Sequence, residues 1–282
     1  MKIIMQSLFS SLGHRGEGDG GKAARASSPA ELLPARRGAG GHALIPALQL
    51  AQPSEMMVAL QALPGTPTPN LLAWERFRVL RTHLATLTRE RNLRTLLVTS
   101  AVAGEGKTLM AANLALSFSQ LENKRVLLVD GDLRRPSLAE FFAVPAEIGL
   151  ADCLQNGKGI KDVRQRLHPT LDLVPTLPAF EDSVELLNRH RMRDLLAETE
   201  EYDLVIIDSP PMSPIADTQV LARLVDGALL VVRSGVAHYE LVRQAAELLQ
   251  PKLLGAVLNC MAGGERNDYF YRYYQQNEGG RR

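Results

Sequence analysis

Lys107 and Thr108 close a run of small residues, Ser-Ala-Val-Ala-Gly-Glu-Gly-Lys-Thr over positions 100–108, directly after the apolar Leu96, Leu97 and Val98. At this spacing, consecutive backbone N–H groups can turn toward phosphate oxygens, the lysine adds a point charge and the hydroxyl offers a ligand to Mg²⁺. The cradle so read comprises Ala103, Gly104, Glu105, Gly106, Lys107, Thr108 and Leu109. The stretch from Leu109 to Leu121 is a good helix former, and the positive end of that helix would face the anion. Ala101 stands where the general pattern has its first glycine. Lys107 is expected to face solvent until a ligand binds, and Glu105 to cap the loop or face solvent.

Two further apolar runs end in acids. Val126 to Val129 lead into Asp130, Gly131 and Asp132, and Leu204 to Ile207 lead into Asp208. Such β-branched runs suit strands of a parallel sheet buried on both faces, and ligands of open α/β sheets bind at the carboxyl ends of the strands. A single aspartate after a strand is usually a turn or capping residue; three converging on a phosphate loop make a site. Thr108, Asp208 and Asp130 are the candidate Mg²⁺ holders. Of the pair Asp130 and Asp132, one can serve the metal while the other orients an attacking hydroxyl.

The segments Ala101 to Thr108, Val129 to Pro136 and Ile207 to Pro211 together resemble the bacterial tyrosine kinases of polysaccharide export. These are P-loop proteins of the deviant Walker A branch, which also holds partitioning and septum-site ATPases. Glu75, Arg78 and Arg81 match that family's Glu-x-x-Arg-x-x-Arg oligomerisation motif, and the likeness runs from about Leu72 to Tyr274. The chain resembles in particular the unfused autokinases, whose transmembrane chain-length protein is a separate polypeptide. The resemblance implies ATP and Mg²⁺ as cofactors, a homo-oligomer in the form of a ring, and Asn259 as a reader of adenine. It also implies a transmembrane polysaccharide chain-length determinant as activator, which would hold the chain at the inner face of the plasma membrane as a peripheral protein. Asn259 can equally be a strand-end turn former. Arg134 or Arg135 can neutralise phosphate or pair with a carboxylate, and Asp217 occupies an acidic position of the family.

Four of the six tyrosines, Tyr269, Tyr271, Tyr273 and Tyr274, fall within six residues, between polar, glycine-rich flanks. Those flanks are too poor in apolar residues to order on their own, so a mobile tail of phenols reads better as a phosphoryl acceptor than as an edge strand. A phenol has a pKa of about 10, so a carboxylate that takes its proton during transfer helps; Asp130 or Asp132 fills that role.

Composition narrows the remaining classes. A formal charge of +1 gives no footprint for nucleic acid. Two separated cysteines and scattered histidines suggest neither a disulfide framework nor a zinc site, which fits a reducing cytoplasm. The sequence contains no run of roughly eighteen apolar residues that would span a bilayer.

The expected organisation is a disordered or weakly structured region over 1–70, a kinase domain over 71–262 and a flexible tyrosine-rich tail over 263–282. The first twelve residues carry apolar side chains at helical spacing, but an unstructured arm is preferred there. Alternating elements predict an α/β P-loop NTPase fold, a mostly parallel sheet with helices on both faces. The expected helices are 71–89, 107–123, 148–155, 183–198, 217–224 and 237–249; the expected strands are 95–99, 125–130, 171–175, 203–208, 227–233 and 254–258. The function so read is tyrosine autophosphorylation in trans, regulating exopolysaccharide or capsule polymerisation and export. The alternatives are a deviant Walker ATPase switch without kinase activity and an idle adaptor.

Overall fold

The computed structural model describes residues 3–5, 71–177, 183–188 and 190–259. The tyrosine cluster at 269–274 and the arm from residue 6 to 70 lie outside the described residues. In chain order the elements are β1 (Ile3–Met5), α1 (Leu71–Arg91), β2 (Thr95–Ser100), α2 (Lys107–Ser119), β3 (Val126–Asp130), α3 (Leu138–Phe141), α4 (Leu150–Asn156), α5 (Ile160–Val163), β4 (Gln165–His168), β5 (Leu171–Val174), α6 (Ser183–Asn188), α7 (His190–Ala197), β6 (Leu204–Asp208), α8 (Asp217–Leu224), β7 (Gly227–Arg233), α9 (Tyr239–Leu248) and β8 (Leu253–Asn259).

The strands form one sheet in the order β1-β8-β7-β2-β6-β3-β5-β4. All pairs from β8 to β5 are parallel, and the two edge strands, β1 and β4, are antiparallel. Side chains alternate across each strand. Leu96 and Val98, Leu128, and Leu204 and Ile206 therefore join one apolar cluster with Phe77, Leu80 and Leu84 of α1 and Leu114 and Phe118 of α2. Leu97, Leu127 and Val129, and Val205 and Ile207 join the other, closed by residues such as Leu154, Leu187, Leu195, Leu221 and Ala245. This is why the strand runs read as continuously apolar, and it gives the doubly covered sheet expected from the sequence.

The same alternation carries function. Asp130 and Asp208 are partners in the parallel register of β3 and β6, and their even-numbered positions put both on the face that α2 covers. The strand ends therefore bring two carboxylates together at the start of the phosphate-loop helix.

Several expectations change. Strand β4 was not expected, because its four residues carry no apolar run; it is an edge strand whose Arg166 pairs with Asp172 across the ladder, as charged edges do. The short helices α3 and α5 were likewise unforeseen. Helix α2 stops at Ser119, four residues early, and the chain then turns through Asn123 in the left-handed region at φ 58°. The expected helix over 183–198 is seen as α6 and α7. At the N-terminus, Ile3–Met5 is a strand pairing with Gly255–Val257 of β8 rather than part of an unstructured arm; two isoleucines suit a strand, and the pairing covers an open sheet edge.

Helix α1 alters the reading of Glu75, Arg78 and Arg81. A spacing of three drifts by about 60° per step at 3.6 residues per turn, so the motif wraps from the outer face toward the core. Glu75 and Arg78 pair with each other at the surface, whereas Arg81 donates to the Ser117 carbonyl of α2 at 2.7 Å. Burial, and then Arg78, lower the pKa of Arg81. The three side chains do not share one exposed face. Arg81→Ala is expected to lower stability in urea unfolding by about 1–2 kcal/mol, through loss of a charged hydrogen bond. The double variant Glu75→Ala, Arg78→Ala should stay within about 0.5 kcal/mol of the parent, as an exposed pair does.

Candidate active site

The phosphate loop bridges β2 and α2 with two glycines in the left-handed region, Gly104 at φ 81° and Gly106 at φ 90°. Gly106 is doubly constrained: a Cβ there would come within 2.5 Å of Asn259 Nδ2. The Asn259 amide donates to the Glu105 carbonyl at 2.9 Å, so this residue also braces the loop.

Glu105 does not face solvent; it caps the loop. It is fully buried, and its two carboxylate oxygens accept the backbone N–H groups of Val102 at 2.9 Å and Arg233 at 3.0 Å. Burial raises its pKa, and these backbone donors oppose the rise. The Arg233 guanidinium adds a hydrogen bond to the Gly104 carbonyl at 3.2 Å. The ends of β7 and β8 thus hold the loop from one side.

The acids lie on the other side. Lys107 is not solvent-facing: only 14% of its side chain is exposed, and Nζ lies 3.4 Å from Asp132 Oδ2. The other oxygen of Asp132 accepts the Arg135 N–H at 2.9 Å. Asp130 is fully buried and turned toward its own loop. Its Oδ2 accepts the N–H groups of Ser137 and Leu138 at 3.0 and 2.9 Å, at the start of α3, and Oδ1 accepts that of Asp132 at 3.3 Å. Burial pushes its pKa up to about 7, with the neighbouring Asp208 adding to the rise.

Asp208 is the exception among these acids. It is completely buried, yet neither carboxylate oxygen accepts a hydrogen bond of ordinary geometry among the described residues. Burial lifts its pKa to about 6. Lys107, the Thr108 hydroxyl and the Ser209 N–H lie near enough to oppose that rise. Such an orphaned acid is costly to a folded chain.

The loop from Asp130 to Ser137 is anchored outward as well. Arg134 forms a two-pronged ion pair with the buried Asp217, at 3.1 and 3.3 Å, and Ser183 also donates to Asp217. The arginine left open between phosphate and carboxylate therefore pairs with the carboxylate. Ser137 contributes a contact that the sequence did not suggest, donating from Oγ to Thr108 Oγ1 at 3.2 Å. A serine three residues ahead of a glutamate reads as a helix cap, and its hydroxyl is used elsewhere. The brace made by Arg233 has no sequence signal, since a basic residue ending a strand is unremarkable. Among the described tyrosines, Tyr202 is buried and hydrogen-bonded to Asp172 and Arg164, whereas Tyr239 is 57% exposed.

The AAA domain family matches residues 93–232, which contain the loop and all three acids. The chain is 35% identical over 208 residues to tyrosine-protein kinase YwqD of Bacillus subtilis (strain 168), across 72% of this chain and 87% of that protein. It is 36% identical over 211 residues to tyrosine-protein kinase etk of Escherichia coli (strain K12), across 71% of this chain and 28% of that longer protein. Among solved structures, the kinase domain of the E. coli tyrosine kinase ETK superposes with a TM-score of 0.64 at 33% identity, covering 69% of this chain and 78% of that one. With a phosphate loop, paired acids at strand ends and this extent of likeness to YwqD, the chain belongs to the bacterial tyrosine-protein kinase family.

Proposed function

We propose that this chain is an ATP-dependent tyrosine autokinase that phosphorylates Tyr269, Tyr271, Tyr273 and Tyr274 of a neighbouring copy and thereby regulates exopolysaccharide or capsule polymerisation and export. The observation that carries the reading is the buried, unpartnered carboxylate of Asp208 beside Lys107 and Thr108.

That carboxylate fits a cation. Mg²⁺ is commonly held by one or two carboxylates and substrate phosphates rather than by a protein cage, and no cluster of three acidic, histidine or cysteine side chains is found among the described residues. Thr108 and Asp208 would hold the ion, with Asp130 behind them; when bound it supplies positive charge to the phosphate oxygens.

Phosphoryl transfer asks mainly for positioning and charge stabilisation. Lys107 exchanges Asp132 for the β/γ-phosphates of ATP, and the braced loop presents its N–H groups to them. Asp132, released from Lys107, accepts the proton of the incoming phenol. Asp130 is the poorer candidate base, since both of its oxygens already accept backbone N–H groups. Its negative neighbour Asp208 and its bonds to α3 suit it to shaping the loop and supporting the metal.

Each phosphate adds about −1.5 to −2 charges. A tail carrying several is repelled from acid-lined sites, which links phosphorylation to release of neighbours in a ring. No helix among the described residues is long and apolar enough to cross a membrane, which is compatible with membrane attachment through a separate transmembrane activator.

Phosphotyrosine immunoblotting after incubation with Mg·ATP tests the chemistry. Lys107→Met should give no signal. Asp132→Asn should lose most of the transfer rate, about 100-fold or more for a lost general base, while binding ATP within a fewfold of the parent. Undiminished phosphotyrosine in Lys107→Met would overturn the site.

Asp208→Asn separates folding from function. With a folded pKa of about 6 against 3.8 unfolded, the ionised acid opposes folding above pH 6, and that opposition disappears below about pH 4. Without nucleotide or metal, the amide variant should be more stable than the parent at pH 8, by about 2–3 kcal/mol at 1.36 kcal/mol per pKa unit. The gain should shrink to nothing as pH falls to 4, read from urea unfolding across pH. The same variant should lose the Mg²⁺-dependent part of ATP binding.

A further inference from the structure

The hydroxyl of Thr108 is useful to a cation only in the rotamer that turns Oγ1 into the site. Thr108 is the second residue of α2, and Gly104 and Gly106 ahead of it are in the left-handed region, so its hydroxyl has no preceding helical turn whose carbonyl it could bond back to. Its orientation is therefore left to groups across the site.

Ser137 works from the opposite side. Its hydroxyl donates to Thr108 Oγ1 at 3.2 Å, and its own position is pinned. Its N–H is held by Asp130 Oδ2 at 3.0 Å, its carbonyl accepts the Phe141 N–H at 2.9 Å, and the next residue, Leu138, is fully buried. Although Ser137 occupies the N-cap position of α3, its side chain makes no capping bond. The Lys107 ammonium also approaches Thr108 Oγ1, but at 3.5 Å it is too distant to fix the rotamer.

We propose that Ser137 is a positioning residue for the metal-holding hydroxyl of Thr108. By donating to one lone pair of Oγ1, it leaves the other lone pair for the cation and leaves the threonine's own proton free to turn toward Asp208. The end of the Asp130 to Ser137 loop thus sets the metal affinity of the phosphate loop. Asp132 at the front of the same loop sets the position of Lys107, so one loop governs both functional side chains. This inference rests on the nucleotide and Mg²⁺ reading of the site.

The test is calorimetric titration of ADP into the full chain, in Mg²⁺ and in EDTA, for the parent, Ser137→Ala and Ser137→Thr. The quantity read is the ratio of the two affinities. At 3.2 Å the bond is long for two hydroxyls, so its loss should reduce that ratio about threefold in Ser137→Ala, leave the affinity in EDTA nearly unchanged and spare Ser137→Thr, which keeps the hydroxyl. The EDTA titration also reports whether the variant is folded. An unchanged ratio in Ser137→Ala would overturn the proposal, as would an equal fall of both affinities, which would make Ser137 a packing residue. Should the parent itself bind ADP in neither condition, the nucleotide reading would fail with it, an outcome distinct from both.

Discussion

Two carboxylates share one end of one face of the sheet, and the site is organised around that constraint. Asp130 and Asp208 are register partners on neighbouring parallel strands, both fully buried. Like charges at that spacing, out of water, each raise the other's cost of ionising. The chain resolves the problem unequally. Asp130 is satisfied by three backbone N–H groups, two of them at the start of α3. Asp208 is left without a hydrogen-bond partner of ordinary geometry, and only Lys107, Thr108 and Ser209 ease its charge. One acid is spent on shaping a loop, and the other stays buried without a partner at a cost in stability, which on the proposed reading keeps it available to a cation.

The surrounding contacts make sense as means of holding geometry around that pair. The phosphate loop is gripped at Glu105 by the backbone of Val102 and Arg233, and at its carbonyls by Asn259 and Arg233. The acid-bearing loop is tied to α8 through Arg134 and Asp217 and to the phosphate loop through Asp132 and Ser137. A site that works by positioning and charge needs rigid supports more than it needs many reacting groups. Here the supports come from the ends of β3, β7, β8 and α2, which only the sheet order brings together.

The sheet was legible because its strands are buried on both faces. Runs such as Leu204 to Ile207 announce themselves, and the small residues before Lys107 read as a phosphate loop because a strand run precedes them and a helix former follows. Charged edges hid β4, where an arginine's partner lies across a ladder that sequence spacing does not show. An unstructured arm was the preferred reading of the first twelve residues, because nothing in their own spacing shows that Ile3–Met5 would meet an open edge on β8. Residue types alone placed Asp130, Asp132 and Asp208 at the site but could not divide their roles, because the division depends on which backbone N–H groups each acid meets. The braces made by Glu105 and Asn259 were hidden for a similar reason: they bridge residues 128 and 154 positions apart in the chain. In the Glu75 to Arg81 motif, the small angular drift of a three-residue spacing carried Arg81 inward to α2.

The central claim is that this site passes phosphate to tyrosine rather than to water. The most direct measurement follows one purified reaction of the full chain with Mg·ATP, quantifying ADP, inorganic phosphate and phosphotyrosine together by chromatography and site-resolved mass spectrometry. Early in the reaction, phosphotyrosine on residues 269–274 should rise in step with ADP, with little inorganic phosphate. Inorganic phosphate matching ADP throughout, with those tyrosines unmodified, would contradict the account and leave an ATPase switch in its place.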